Sequence, residues 1–417
     1  MLLALQRANE PRQHFMSTSL SPQHSRAIVL LSVAAFASSA STRLCDPMLP
    51  DLMRIFATSP TETAHVVSGF SVAYGLFQIF YGPLGDRVGK YRLIALAALV
   101  STLGSLGAAL AASLDWLVFA RFMTGISAAG VIPLSMAWIG DTVDYENRQA
   151  TLARFLGGQI MGVIGGQFIG GLFADTLGWR WAFAFLSLVY LVIGALVLRE
   201  SCRNPVTFHQ RSNSGPAAGV FAQVTSVLRV PWARVILSIV FLEGMVVFGA
   251  LAFVPSYLHQ NFGLSLTAAG GMVGMFGVGG LSYIVFAKFF VRRLGERGLA
   301  FCGGLLIASG WTLLAMMPSG MWALLANGVL GLGFYMPHNT LQTNATQMAP
   351  QVRGTAVSLF ASALFIGQSL GVILAAMLLA NWGAFALFMT AALFMPLLGV
   401  VFFILLSTRQ GKIPASS

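Results

Sequence analysis

The chain has 417 residues, 57% of them hydrophobic and 9% charged, with a mean hydropathy of +0.79. A soluble domain carries roughly 25% charged residues to wet its surface, so a soluble enzyme or soluble binding module is excluded. The net charge of +11 would suggest a nucleic-acid partner in a soluble protein. In a membrane chain the basic residues collect in cytoplasmic loops instead, and no nucleic acid is expected.

Residues 1–26 form a polar tail containing Arg7, Glu10, Pro11 and Arg12. They lack the basic-then-apolar order of a cleavable signal, and Met16 offers an alternative start. Apolar runs then follow at 27–49, 64–84, 93–112, 116–140, 155–174, 181–198, 235–257, 265–287, 299–317, 321–345, 354–381 and 384–406. Each is close to the roughly 20 residues that a helix needs to cross a bilayer. None alternates in the two-residue period of a barrel strand. The fold class is an all-α membrane protein of twelve transmembrane helices. The first six occupy 27–198, and 231–407 hold the second six, followed by a cytoplasmic tail at 408–417. Between the halves, 199–230 is rich in Arg, Pro, Ser, Asn and Gly without an apolar period, and reads as a flexible cytoplasmic connector.

The basic residues orient the chain. With a cytoplasmic N-terminus, 20 of the 24 Lys and Arg fall on the inner side. Only Arg54 and Arg180 fall in outer loops, and Arg43 and Arg121 lie inside spans. Both termini are therefore expected in the cytoplasm. Cys45, Cys202 and Cys302 are too few and too scattered for a disulfide framework or a metal site. No metal or cofactor is expected.

The halves read as diverged copies. At an offset of about 205, Gly89 meets Gly295, Pro133 meets Pro337, Arg148 meets Arg353, and Gly162 and Gly166 meet Gly367 and Gly371. Parallel six-helix repeats around a midplane site are the arrangement of rocking transporters.

The loop after the second span reads Gly82-Pro83-Leu84-Gly85-Asp86-Arg87-Val88-Gly89-Lys90-Tyr91-Arg92. Its glycines permit a tight turn and close helix approach. Asp86 is suited to face the positive N-terminal end of a neighbouring helix, the eleventh being the candidate, and so to lock one conformation. The order of Gly82, Asp86, Arg87, Gly89, Lys90 and Arg92 resembles the signature of the major facilitator superfamily, with Tyr91 in a usually basic position. The second half keeps an echo in Arg292-Arg293-Leu294-Gly295-Glu296-Arg297. Arg121-Phe122-Met123-Thr124-Gly125 is similar to the Arg-x-x-x-Gly motif of proton-coupled members. Gly162, Gly166, Gly170 and Gly171 resemble the antiporter motif of the fifth span, with Gln167 where the proline belongs; plain small-residue packing is the alternative for them. Asp46-Pro47-Met48-Leu49-Pro50 resembles the Asp-containing Pro-x-x-Pro segment of twelve-helix drug:proton antiporters.

Ionisable groups inside a membrane mark pathways by default, and the spans hold Arg43, Asp46, Arg121, Glu243 and His338. Arg43 and Asp46 lie three apart on one helical face, and Arg121 lies at a similar depth. Asp46 can pair with either arginine. A carboxylate alternating between an arginine and a proton would couple proton movement to conformation; a static charge pair is the alternative. Glu243, near the midplane with no partner evident, reads as a proton carrier, a contact for cationic substrates or a neutral structural group. Tyr335, His338, Asn339 and Gln342 share one face of span ten, and Ser68, Ser71, Gly75 and Gln78 form a stripe on span two. Both stripes are expected to line the central path, His338 as a cavity wall rather than a relay.

The resemblance implies a secondary transporter in a bacterial inner membrane, working as a monomer and exchanging protons for a small amphipathic solute moving outward. A nutrient importer or facilitator of the same fold is the nearest alternative. A membrane enzyme or sensor is more remote, because no nucleophile–base set or metal cluster is visible. Membrane lipid, protons and a small molecule are the expected partners.

Overall fold

The computed structural model describes residues 21–208 and 219–410. Arg7, Arg12, Arg211, Lys412 and the alternative start at Met16 lie outside the described residues. Among those described, nine helices are long and apolar enough to cross a bilayer. They are span 1 (Pro22–Phe56), span 2 (Pro60–Val88), span 3 (Lys90–Ala109), span 4 (Leu114–Thr142), span 5 (Asn147–Asp175), span 6 (Trp179–Arg203), span 7 (Pro231–Phe262), and two much longer stretches, Leu266–Met316 and Pro350–Arg409.

Those last two have 51 and 60 residues. At about 1.5 Å per residue, each is more than twice the ~30 Å hydrocarbon thickness. Each turns back at one glycine outside the helical region, Gly295 (φ 62°, ψ 178°) and Gly383 (φ 77°, ψ 177°), a backbone region essentially confined to glycine. The turns divide them into spans 8 (266–294) and 9 (296–316), and spans 11 (353–382) and 12 (384–409). With span 10, Trp322–Gln347, the arrangement fits twelve crossings.

The repeat is visible in the packing. Gly89 and Gly178 of the first half also have positive φ, at 98° and 94°, about 205 residues before Gly295 and Gly383. A Cβ added at Gly162 or Gly166 would strike the carbonyl oxygens of Phe36 and Ala40 on span 1. One added at Gly367 or Gly371 would strike those of Phe241 and Met245 on span 7. The offset is the same, so spans 1 and 5 and spans 7 and 11 meet through equivalent small-residue contacts.

Two spans are irregular at membrane depth, which is tolerated only where the backbone is buried in protein. Span 1 passes through a 3₁₀ turn, Asp46–Met48, where Pro47 supplies no N–H. Span 7 passes through a π-helical turn, Gly244–Phe248, immediately after Glu243.

The connector departs from the expectation. Span 6 runs to Arg203, and Val220–Arg229 forms a short helix. Val220, Val224 and Val227 recur at helical spacing, Val227 is buried, and Thr355 at the start of span 11 donates to Gln223 at 2.6 Å. This apolar period is only ten residues long, which hides it within a polar connector.

Call the face that carries the ends of spans 6 and 12 the terminal face and its opposite the distal face. The two six-helix bundles meet from the distal rim to mid-membrane. There spans 5 and 8 pack so closely that a Cβ at Gly171 would strike the Leu266 carbonyl and one at Gly270 the Gln167 carbonyl. Spans 2 and 11 meet where Ser369 Oγ donates to the Ser68 carbonyl at 2.9 Å and Phe365 lies 4.4 Å from the Tyr74 ring. At the terminal face, Gly82 of span 2 and Gly354 of span 11 have open space beside their Cα atoms.

Candidate functional site

The break in span 1 places Asp46, with no exposed surface, at the seam between the bundles. Arg43 Nη1 lies 3.4 Å from Asp46 Oδ2, with 4% of the arginine side chain exposed. Gln167 of span 5 donates to the same carboxylate oxygen at 2.9 Å, while Oδ1 has no hydrogen-bond partner. The guanidinium also crosses the seam. Its Nη2 donates to Gln368 of span 11 at 3.3 Å, and it lies 4.3 Å over the Phe248 ring of span 7. Gln368 in turn donates to Ser71 of span 2 at 2.9 Å. One buried ion pair is thus held by groups from both halves.

Of the two pairings open to Asp46, only that with Arg43 forms. Arg121 instead donates to Ser41, to Oγ at 3.1 Å and to the carbonyl at 2.9 Å, and lies 4.1 Å over the Phe70 ring. Similar depth was an insufficient guide, because the Arg121 guanidinium is taken up by Ser41, further back along span 1. The stripe on span 2 also differs from expectation. Ser68, Ser71 and Gly75 pack on span 11 rather than lining an open path, since polar hydroxyls and a missing side chain suit a tight seam as well as a wet wall. Gln78 is buried, and its Nε2 has no hydrogen-bond partner.

Glu243 has a partner that sequence alone could not supply. Its Oε2 lies 2.7 Å from His338 Nδ1, across 95 residues of chain. The imidazole stacks on Phe334 at 4.7 Å and is tilted against Phe360 at 5.4 Å. Tyr335 packs on Gly280 and Phe276, and Asn339 and Gln342 are half-buried.

At the terminal face, Lys90 bridges Asp86 at 2.9 Å and Asp141 at 2.7 Å. Asp86 does not cap span 11; its side chain is 58% exposed, because the bundles stand apart at that level. Arg87 and Arg92 are exposed, and Gly89 makes the turn. Tyr91, the departure from the signature, is a buried post whose hydroxyl donates to the Ala27 carbonyl at 3.3 Å and whose ring meets Trp138 at 5.1 Å.

Sequence reasoning missed Gln368, Phe248, Asp175 and the role of Gln167. A glutamine inside an apolar run was the available signal for Gln368. Asp175, at the distal end of span 5, accepts from the backbone N–H of Leu266 at 3.0 Å and of Thr267 at 2.6 Å, and from the Thr267 hydroxyl at 2.6 Å. It caps the first turn of span 8, a helix of the other half.

Known proteins share this architecture. The chain is 25% identical over 347 residues to the uncharacterized transporter YwfA of Bacillus subtilis, covering 82% of each chain. It is 26% identical over 350 residues to a bicyclomycin resistance protein homologue of Haemophilus influenzae, covering 80% of this chain and 85% of that one. The crystal structure of a bacterial homologue of the human lysosomal transporter Spinster, inward-facing and occupied, superposes with a TM-score of 0.71 at 18% identity, over 94% of this chain and 98% of that one. The model of the Major Facilitator Superfamily matches residues 31–371. With described helices that fit twelve crossings, in two repeats meeting at a charged seam, this integral multi-pass membrane protein is a transporter rather than an enzyme, and it belongs to the Major Facilitator Superfamily.

Proposed function

We propose that this transporter exchanges protons for a small amphipathic organic solute moving out of the cell, by alternating access between its two bundles. The observation that carries the reading is the Arg43–Asp46 pair, buried at the seam with partners from both halves. Removing one partner of a buried ion pair leaves an uncompensated charge, at a cost of about 3–5 kcal/mol. Protonating Asp46 has that effect on Arg43, so the charge on Asp46 and the closure of the distal seam are linked. The resistance-protein relative supports the outward direction. The asymmetry of the basic residues supports a cytoplasmic terminal face, and the substrate path then opens inward. Arg121 and Gln167 hold the surroundings of the pair, and span 10 supplies part of the cavity wall through Asn339 and Gln342.

Gln167 replaces the antiporter proline, which favours an importer as the second reading; the direction of solute flux separates the two. The test is proton movement in inside-out vesicles challenged with cationic, neutral and anionic compounds. One class is expected to collapse the pH gradient, and Asp46→Asn is expected to remove that response. No response to any class, with the protein present at normal levels, contradicts the proposal.

A further inference from the structure

Glu243 and His338 lie far from the Asp46 pair in the sequence and share no hydrogen bond with it. A polar tie between helices is the plainest account of the two, and the repeat supplies a control for it. The position equivalent to Glu243 in the first half is Ser38, about 205 residues earlier. There a hydroxyl is enough, bonded to Tyr74 and to the Ala128 carbonyl, each at 3.3 Å. The second half places an ionisable carboxyl and an imidazole at the corresponding place. Its carboxyl is also left half used, since Glu243 Oε1 is buried with no hydrogen-bond partner among the described residues. Buried polar atoms are rarely orphaned, and one that is calls for a functional reason.

The surroundings isolate the pair. The space beside Glu243 is lined by apolar or small residues of spans 9, 10 and 12, among them Ala300, Gly304, Pro337, Met395 and Gly399. Leu364 of span 11 packs on the adjoining Gly244. Among the described residues of these elements, His338 is the only titratable or charged group acting on Glu243. Glu243 is the last residue of the first regular segment of span 7 and directly precedes the π-helical turn, an irregularity common at functional sites.

Access differs between the two members. The Glu243 side chain is 1% exposed and that of His338 14%. Nδ1 of His338 is committed to Glu243, and Nε2 is neither buried nor bonded to protein among the described residues. Along the same helix, Asn339 and Gln342 are half-buried and Thr343 is exposed, so a polar strip runs from His338 toward the terminal face.

We infer that Glu243 and His338 form a second proton-binding site, loaded from the terminal face through His338. A proton from water binds at Nε2, and the proton on Nδ1 passes to Glu243 Oε2. The product is a neutral carboxylic acid and a neutral imidazole carrying its proton on Nε2. Reversal of the same two transfers unloads the site. In this conformation the Asp46 site is sealed while the Glu243 site communicates with one face, so the two protons exchange from different states of the cycle. The inference extends the proton-coupled reading above but needs neither the identity of the solute nor its direction.

Infrared titration of the full-length protein in lipid nanodiscs tests it. The protonated-carboxyl band is followed against pH in the wild type and in Asp46→Asn, Glu243→Gln and His338→Gln. Two components are expected to titrate, one lost in Glu243→Gln and the other in Asp46→Asn. His338→Gln should keep the Glu243 component but shift its midpoint and slow proton uptake after a pH jump by about a hundredfold, the lower end of what a positioned acid–base group contributes. If Glu243→Gln leaves the spectrum unchanged, or His338→Gln alters neither midpoint nor rate, the pair is a static tie and the inference fails. A silent Asp46 component beside a titrating Glu243 component overturns the Asp46 assignment alone. Should Glu243→Gln not fold, wild-type protein with ¹⁵N-labelled histidine decides the matter. The His338 resonance must move in step with the carboxyl component, and an invariant resonance overturns the inference.

Discussion

The distal and terminal faces of the seam are built from the same two bundles yet handled in opposite ways. At the distal face the halves touch backbone to backbone at Gly171 and Gly270, and Asp175 of one half caps a helix of the other. At the terminal face, among the described residues, Asp86 bonds within its own half, to Lys90, and Gly82 and Gly354 face open space. The distal aspartate is thus engaged across the seam, whereas the terminal-face aspartate is engaged within its own bundle. The difference teaches how alternating access can be held in balance: a clasp made at one face is unmade at the other.

Four substitutions would break or sharpen that contrast. Asp46→Asn removes the charge that neutralises Arg43 at the seam. It should reduce proton-driven solute flux by more than about tenfold at normal protein levels; loss of protein instead would favour a purely structural pair. Gly270→Leu drives a side chain into the Gln167 carbonyl and should hold the distal face open. Labelling of a cysteine introduced at Ser369, which is buried at the seam, with Cys45, Cys202 and Cys302 replaced by alanine, should then become fast. Asp175→Ala removes the carboxylate that holds the first turn of span 8 from the other half, while that helix keeps its own N-cap, Ser265. A carboxylate at a helix N-terminus is worth about 0.3–1 kcal/mol, rising to ~2 kcal/mol where partly buried, so the distal-open population should rise by roughly 5–30-fold at the upper end of that range, read by the same labelling. Asp86→Asn should matter least in this conformation. Its bond to Lys90 is largely exposed, and such pairs are worth about 0–1 kcal/mol. Distal labelling should stay within about fivefold of wild type.

The spans, the repeat and the family signature were legible because lipid imposes its demands locally. A crossing must be apolar over its length, and a turn between crossings needs glycine at Gly89, Gly178, Gly295 and Gly383. The site was legible only as a set of isolated costly residues. Asp46, Arg43 and Glu243 stood out as ionisable groups in apolar runs, but their partners did not. His338 reaches Glu243 across 95 residues, and Gln368 reaches Arg43 across 325. Those meetings depend on how the bundles dock, which no local pattern encodes. The ten-residue connector helix failed for a different reason, being too short to show its period against polar surroundings.

The central claim is that the charge on Asp46 governs closure of the distal seam. The most direct test is the distance between spin labels at positions 177 and 260, both exposed at the distal face, measured against pH in nanodiscs for the wild type and for Asp46→Asn. The account predicts a distal distance that changes with pH in the wild type and stays fixed in Asp46→Asn. A wild type that does not respond to pH, or an Asp46→Asn protein that responds in the same way, would contradict it.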